Sequence, residues 1–260
     1  MSNDVNNARH FVDRLHIVWG DGFLSPGGPE EVLEIVKGID LSGKSVLDVG
    51  CGTGGPCIVL ARDTEVARIM AIDVQPALLE QGADFAQKAG VEDRLEFRLV
   101  KPGPLPFGDE SFDVVFSKDA LIHFADKEAI YGEMLRVLRP GGLFVASDWL
   151  GGENTATSPE WARFIELSQH AFAMTTAAET LATMEAAGFT ELSARDRNAW
   201  YVELSQYELT QVEGPLKEPL IEAAGIDIYE YWIQVRQANL AAARAGALRP
   251  THLRGSKPVL

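Results

Sequence analysis

Two hydrophobic rhythms alternate along the first 150 residues. Short unbroken apolar runs at residues 45–49, 68–73, 95–100, 112–117 and 143–149 read as buried strands. Between them, residues 56–62, 76–89 and 127–138 carry helical periodicity, the second stretch ending at Gly90. Strict alternation of this kind predicts a parallel sheet with helices on both faces, an α/β fold. Two more helical stretches, 8–20 and 29–38, precede the core and flank a glycine- and proline-rich segment from Gly20 to Pro29. After Gly151-Gly152 the rhythm changes: 159–188 reads as helical, 189–198 as a strand, 200–246 as mostly helical, and 247–253 as a returning strand. The expected organisation is a single domain over 1–260. It has covering helices in 1–40, a core in 41–150, a helical cap with one strand in 151–246 and a C-terminal strand in 247–260.

Composition narrows the class. The 260 residues are 46% hydrophobic and 23% charged, ordinary values for a soluble globular chain. No apolar run approaches the roughly 18 residues of a membrane span, and the polar N-terminus lacks a signal-peptide core, so a cytoplasmic protein away from membranes is expected. A formal net charge of −15 repels a phosphate backbone and argues against nucleic acid as a partner. A small-molecule substrate is expected, acted on by a monomer or homodimer. The five histidines show no HxH or HExxH spacing, and the two cysteines, Cys51 and Cys57, read as buried thiols; no metal is expected.

Candidate chemistry begins where the first strand meets its helix, at Asp48-Val49-Gly50-Cys51-Gly52-Thr53-Gly54. Alternate glycines allow a tight turn and a close backbone approach by a ligand. Asp73 closes the next strand, where a carboxylate can accept ribose hydroxyls. An acid two positions before Gly50 suits a cationic sulfonium and ammonium; a dinucleotide would instead place a pyrophosphate on the helix N-terminus. This loop with Asp73 resembles the class I methyltransferase signature. So do Leu105-Pro106-Phe107 before Ser111-Phe112-Asp113, and Leu135-Arg136-Val137-Leu138-Arg139-Pro140-Gly141-Gly142 before the fifth strand. The resemblance implies a Rossmann-like sheet with a helical cap, S-adenosylmethionine as cofactor, and cofactor contacts from Asp48, Gly50, Gly52, Asp73, Val74 and Ser117. A nicotinamide-binding enzyme shares the same loop logic. One departure concerns adenine: the usual acid after the third strand is Lys101 here, and the residue after it is Pro102, which has no N–H.

Ser117-Lys118-Asp119-Ala120-Leu121-Ile122-His123-Phe124 follows the fourth strand. A helical turn over 119–123 would put Asp119 and His123 on one face. By spacing alone they read as a capping carboxylate and a packing histidine. Together with Trp19-Gly20-Asp21-Gly22-Phe23-Leu24-Ser25-Pro26-Gly27-Gly28, this segment resembles phosphoethanolamine N-methyltransferases. That resemblance implies that Leu24 and Ser25 contact cofactor, while Asp119 and His123 serve the amine as catalytic residues. It also implies a latch tyrosine on the first helix, yet no tyrosine precedes Tyr131; His10, Phe11, His16 or Trp19 would fill the space. The family's phosphate clamp of tyrosines, an arginine and a lysine is replaced by Trp149, Phe164, His170 and Phe172, with Arg163 the one cation of the first cap helices. A dianion needs paired cations to leave water. The expected substrate is therefore an amine with a different tail: an amino acid or derivative, such as a thiohistidine imidazole nitrogen or a glycine-betaine precursor. It would be bound by Trp19, Trp149, His170, Phe172 and Arg236. Alternatives are phosphoethanolamine itself, an oxygen, sulfur or carbon nucleophile, or a binding module that has lost its chemistry.

Overall fold

The structure, a computed structural model, describes residues 12, 14–169 and 172–259. After a helical segment α1 (residues 14–19) come α2 (Gly28–Ile35), β1 (Ser45–Val49), α3 (Gly55–Asp63), β2 (Arg68–Asp73), α4 (Pro76–Ala89), β3 (Leu95–Leu99) and β4 (Phe112–Lys118). They are followed by α5 (Lys127–Val137), β5 (Leu138–Gly151), α6 (Pro159–Ser168), α7 (Ala177–Ala187) and β6 (Thr190–Asp196). The chain ends with α8 (Asn198–Glu213), α9 (Lys217–Ala224), α10 (Ile226–Arg244) and β7 (Leu248–Ser256).

The seven strands form one sheet in the order β3-β2-β1-β4-β5-β7-β6. β1 to β5 run parallel, and β7 enters antiparallel between β5 and β6. Every residue of β1 is buried, as a strand covered on both faces requires. One apolar layer joins α2, α3 and α4 to one face of the sheet, and a second packs Tyr131, Met134, Met184 and Phe189 on the other. The C-terminal strand is therefore interior, and the cap's own strand β6 forms the edge.

Boundaries moved where the pairing partner lay far away in sequence. β5 spans Leu138–Gly151 against the expected 143–149: at its start Leu138 pairs with Phe112 of β4, and at its end β7 pairs with it from Leu143↔Ser256 to Gly151↔Leu248. The single helix expected over 159–188 is two: Gln169 adopts φ 56 after α6, and Thr176 opens α7 with a capping box to Glu179. The first helix is described only over 14–19 with Val12, and residues 1–11 lie outside the described part of the chain. Among the described residues no helix is long and apolar enough to cross a membrane.

Candidate active site

The carboxyl ends of the parallel strands β1, β2 and β4 meet on one edge of the sheet, where a doubly wound fold receives ligands. Leaving β1, the amides of Gly50 and Cys51 both donate to Ile72 O, at 2.9 and 3.0 Å. Gly50 has φ 78, and a Cβ there would lie 2.5 Å from Ala120 Cβ, so only glycine lets this turn approach the segment after β4. The Asp73 carboxylate accepts from Gly52 N at 3.0 Å and Gln75 N at 2.9 Å. Asp48 is 1% exposed; the Cys57 thiol donates to its Oδ2 at 2.9 Å, while its Oδ1 is buried without a hydrogen-bond partner. Burial pushes Asp48 up to about 7, against the Cys57 bond and with some help from the charge of Asp73.

These residues fit a cationic adenosine cofactor better than a dinucleotide. An orphaned carboxylate oxygen beside a second carboxylate suits a cation and hydroxyl groups. The first turn of α3 is closed to phosphate: Gly55 N donates to Gly22 O at 2.8 Å, and Thr53 Oγ1 donates to the same oxygen at 2.9 Å. Val74 is half exposed next to Asp73. Ser117 is fully buried and its Oγ donates to Val49 O at 2.8 Å, so it braces β4 against β1 beneath the loop. Lys101 and Pro102 lie exposed beyond β3.

The segment from Gly20 to Pro29 lies over the glycine loop as a lid. A Cβ on Gly52 would come within 2.8 Å of Leu24 Cδ1, which places Leu24 directly on the loop. His16 Nε2 stands 3.3 Å from Thr53 Oγ1 and its ring packs edge-on against Phe85, which commits it to the cofactor end. His10 and Phe11 lie outside the described residues. Trp19 turns towards the cap, where its Nε1 donates to Glu208 Oε1 at 2.9 Å.

At the acceptor end the expected helical turn over 119–123 does not form. Asp119 adopts φ 55, and one 3₁₀ turn, Leu121–His123, follows. The left-handed kink lets the Asp119 N–H reach Ser147 O at 2.7 Å and turns its carboxylate back over the sheet. Its Oδ1 accepts from Ser147 Oγ at 3.2 Å and its Oδ2 from Lys118 Nζ at 2.5 Å. His123 is exposed, its ring 5.7 Å from that of Phe172. The turn carrying it is held from below: Ile122 N donates to Asp148 Oδ1 at 3.1 Å, and Lys127 Nζ donates to Leu121 O at 2.5 Å. Asp148 is pushed up to about 7 by burial, opposed by Lys127 and aided by the charge of Asp119, and burial lowers Lys127.

The cap adds an aromatic wall. Phe172 stacks on Phe164 at 6.1 Å, and Trp149 lies 6.4 Å from Phe172 and 5.7 Å from Tyr201. Arg236 is 8% exposed and forms a buried ion pair with Glu208, its guanidinium 5.4 Å from the Trp19 ring centre and 5.7 Å from that of Trp232. Its expected role of receiving a substrate carboxylate therefore has a resident competitor. His170 lies outside the described residues. Trp149 and Phe172 are thus brought together beside His123, whereas Trp19 and Arg236 form a separate cluster on Glu208. Lys118, Asp148 and Glu208 went unnoticed as candidates. A lysine ending an otherwise apolar buried strand and a carboxylate inside the apolar run 143–149 were the signals for Lys118 and Asp148, whereas Glu208 lies on a helix of mixed polarity and gave none.

Comparison with known proteins agrees with this geometry. Residues 40–199 match a family model described as a methyltransferase domain. The chain is 30% identical over 234 residues to phosphoethanolamine N-methyltransferase 3 of Arabidopsis thaliana, covering 90% of this chain and 46% of that one. It thus spans about half the length of the curated relatives it matches first. Among solved structures, Haemonchus contortus phosphoethanolamine N-methyltransferase 2, in complex with phosphomonomethylethanolamine and S-adenosylhomocysteine, superposes with a TM-score of 0.86 at 21% identity. That alignment covers 95% of this chain and 57% of the other. A Galdieria sulphuraria protein provisionally named sarcosine dimethylglycine methyltransferase gives 0.80 at 18% identity, with both chains covered in full. At those identities the structures speak for the fold. With the glycine loop, Asp73 and the closed N-terminus of α3, the family match establishes that this chain belongs to the methyltransferase domain family, as a class I, S-adenosylmethionine-dependent methyltransferase.

Proposed function

We propose that the chain transfers a methyl group to the nitrogen of a small polar amine, an amino acid or amino-acid derivative. The observation that carries this reading is the Asp119 carboxylate. It is held in a left-handed backbone conformation at the end of β4, its side chain only 9% exposed, with Ser147 and Lys118 on its two oxygens. A fixed carboxylate is suited to hold an amine and to stabilise the positive charge that develops as nitrogen is alkylated. His123, exposed beside it in sequence and backed by Phe172, is suited to take the proton that the alkylated nitrogen sheds. Asp48, Gly50, Gly52 and Asp73 would hold the cofactor, with Leu24 and Ser25 covering it and Val74 and Ser117 at the rim and base of the same pocket. When bound, S-adenosylmethionine supplies an activated methyl group. The aromatic wall of Trp149, Phe164 and Phe172 lines the acceptor end beside His123.

Charge pairing supports the choice of substrate. The buried cations Lys118 and Arg236 already face Asp119 and Glu208, and Lys127, beneath the turn carrying His123, donates to Leu121 O within the field of Asp148. Arg163, on α6, is exposed and paired with Glu166. A dianionic phosphate would have to take a cation from one of these carboxylates, whereas a zwitterion needs a weaker exchange. The second reading, phosphoethanolamine, is favoured by the name of the Arabidopsis relative. Production of S-adenosylhomocysteine with phosphoethanolamine, sarcosine, dimethylglycine and histidine-derived thiols separates the two. Turnover of an amino acid with none of phosphoethanolamine is expected, and strong turnover of phosphoethanolamine would overturn the amino-acid reading.

A further inference from the structure

One buried cation holds the Asp119 carboxylate and reaches beyond it. Lys118 closes β4 with its side chain 2% exposed, and its Nζ donates to Ser25 Oγ at 2.7 Å, Pro26 O at 2.9 Å and Asp119 Oδ2 at 2.5 Å. An ammonium has three N–H donors and no acceptor, so this set is complete. Two of its acceptors belong to the lid and the third is the carboxylate assigned to the amine.

Resting on the methyl-transfer reading, we propose that Lys118 is a positioning residue that couples closure of the lid to the alignment of Asp119, so that the acceptor site is assembled only beneath a closed lid. The lid is pinned at two places. Gly22 O accepts from Thr53 Oγ1 and Gly55 N at the cofactor end, and Ser25 with Pro26 bind Lys118 at the acceptor end. Trp19, at the end of α1 just before the lid, reaches Glu208, whose carboxylate lies within the field of Lys118. Lifting the lid removes two of the three acceptors from a buried ammonium, which must then find water or turn onto Asp119 alone. Asp119 is sensitive to such a change. A non-glycine residue at φ 55 persists only while its surroundings fix it, and here they are Ser147 on the amide and Oδ1 and Lys118 on Oδ2. Binding is therefore ordered: the cofactor enters and the lid closes before the amine meets an aligned carboxylate.

Hydrogen exchange of the lid amides, residues 20–28, tests this in the ligand-free protein and with S-adenosylhomocysteine added. Compared with wild type, Lys118→Met is expected to lose protection over residues 24–27 while the strands of the sheet exchange unchanged. Its S-adenosylhomocysteine affinity should fall about tenfold, the scale of lost hydrogen bonds to a charged group. Lys118→Arg should restore part of both. Wild-type lid protection in Lys118→Met would overturn the coupling. If that variant does not fold, Ser25→Ala decides, since it removes a lid acceptor and leaves the lysine in place: faster lid exchange is expected, and wild-type exchange would overturn the proposal. Absence of S-adenosylhomocysteine binding by wild type would instead sink the cofactor reading, because the ligand-free comparison of lid exchange does not depend on it.

Discussion

Asp119 holds more of the proposed chemistry than any other residue, and little of its placement could be read from its spacing to His123. A helical turn over 119–123 would put the two on one face, whereas the left-handed φ of Asp119 aims the carboxylate at Ser147 and Lys118. Asp119→Asn and His123→Ala should each lower kcat by on the order of 10²-fold or more, the range of a lost acid–base group, with cofactor affinity nearly unchanged. Steady-state kinetics with separate titration of S-adenosylhomocysteine checks this; an equal loss in binding would reassign both residues to the cofactor. Beneath them, Asp148 offers a thermodynamic handle. Its folded pKa, about 7, lies above the ordinary carboxylate value, so between roughly pH 4 and 7 the folded chain holds a proton that the unfolded chain has released. Its contribution to stability therefore declines as pH rises through that window. Asp148→Asn keeps an oxygen for Ile122 N–H and removes the titration, so the melting temperature of wild type relative to the variant should fall from pH 5 to pH 8. A difference independent of pH would contradict the assignment.

The lid depends on close contact of glycines. Gly22 sits at φ 84, and a Cβ there would lie 2.9 Å from Gly55 Cα, which is backbone and cannot step aside. Gly22→Ala should undock the lid and weaken S-adenosylhomocysteine binding about tenfold by calorimetry, the equivalent of roughly 1.4 kcal/mol, without changing the circular dichroism of the core. Unaltered affinity would mean that the lid does not govern the cofactor site. At this scale the chain was readable where order is local. Apolar runs marked β1, β2 and β4, and Pro76 and Gly90 bracketed α4 to the residue. It was less readable where distant partners decide. The C-terminal end of β5 follows from pairing with β7 about a hundred residues later, and the break between α6 and α7 follows from the φ of Gln169. Arg236 looked available for a ligand because Glu208, 28 positions earlier on a different helix, gives no sequence signal of pairing. Leu24 and the glycine loop were recognisable as motifs, whereas Lys118 was hidden by its position between two motif residues.

As a whole, the molecule joins a region that matches the methyltransferase domain family to later helices that, on the proposed function, carry the choice of substrate. On the proposed function, the nucleophile is decided by what surrounds Asp119 and His123. An aromatic wall and internally neutralised cations point to a compact amine. The most direct measurement incubates the protein with S-adenosylmethionine labelled with ¹³C in its methyl group and a mixture of phosphoethanolamine, sarcosine, dimethylglycine and histidine-derived thiols. The products are then read by ¹³C NMR. The predicted result is label on the nitrogen of an amino acid with stoichiometric S-adenosylhomocysteine. Label on oxygen, sulfur or carbon, or on phosphoethanolamine alone, would contradict the proposed function.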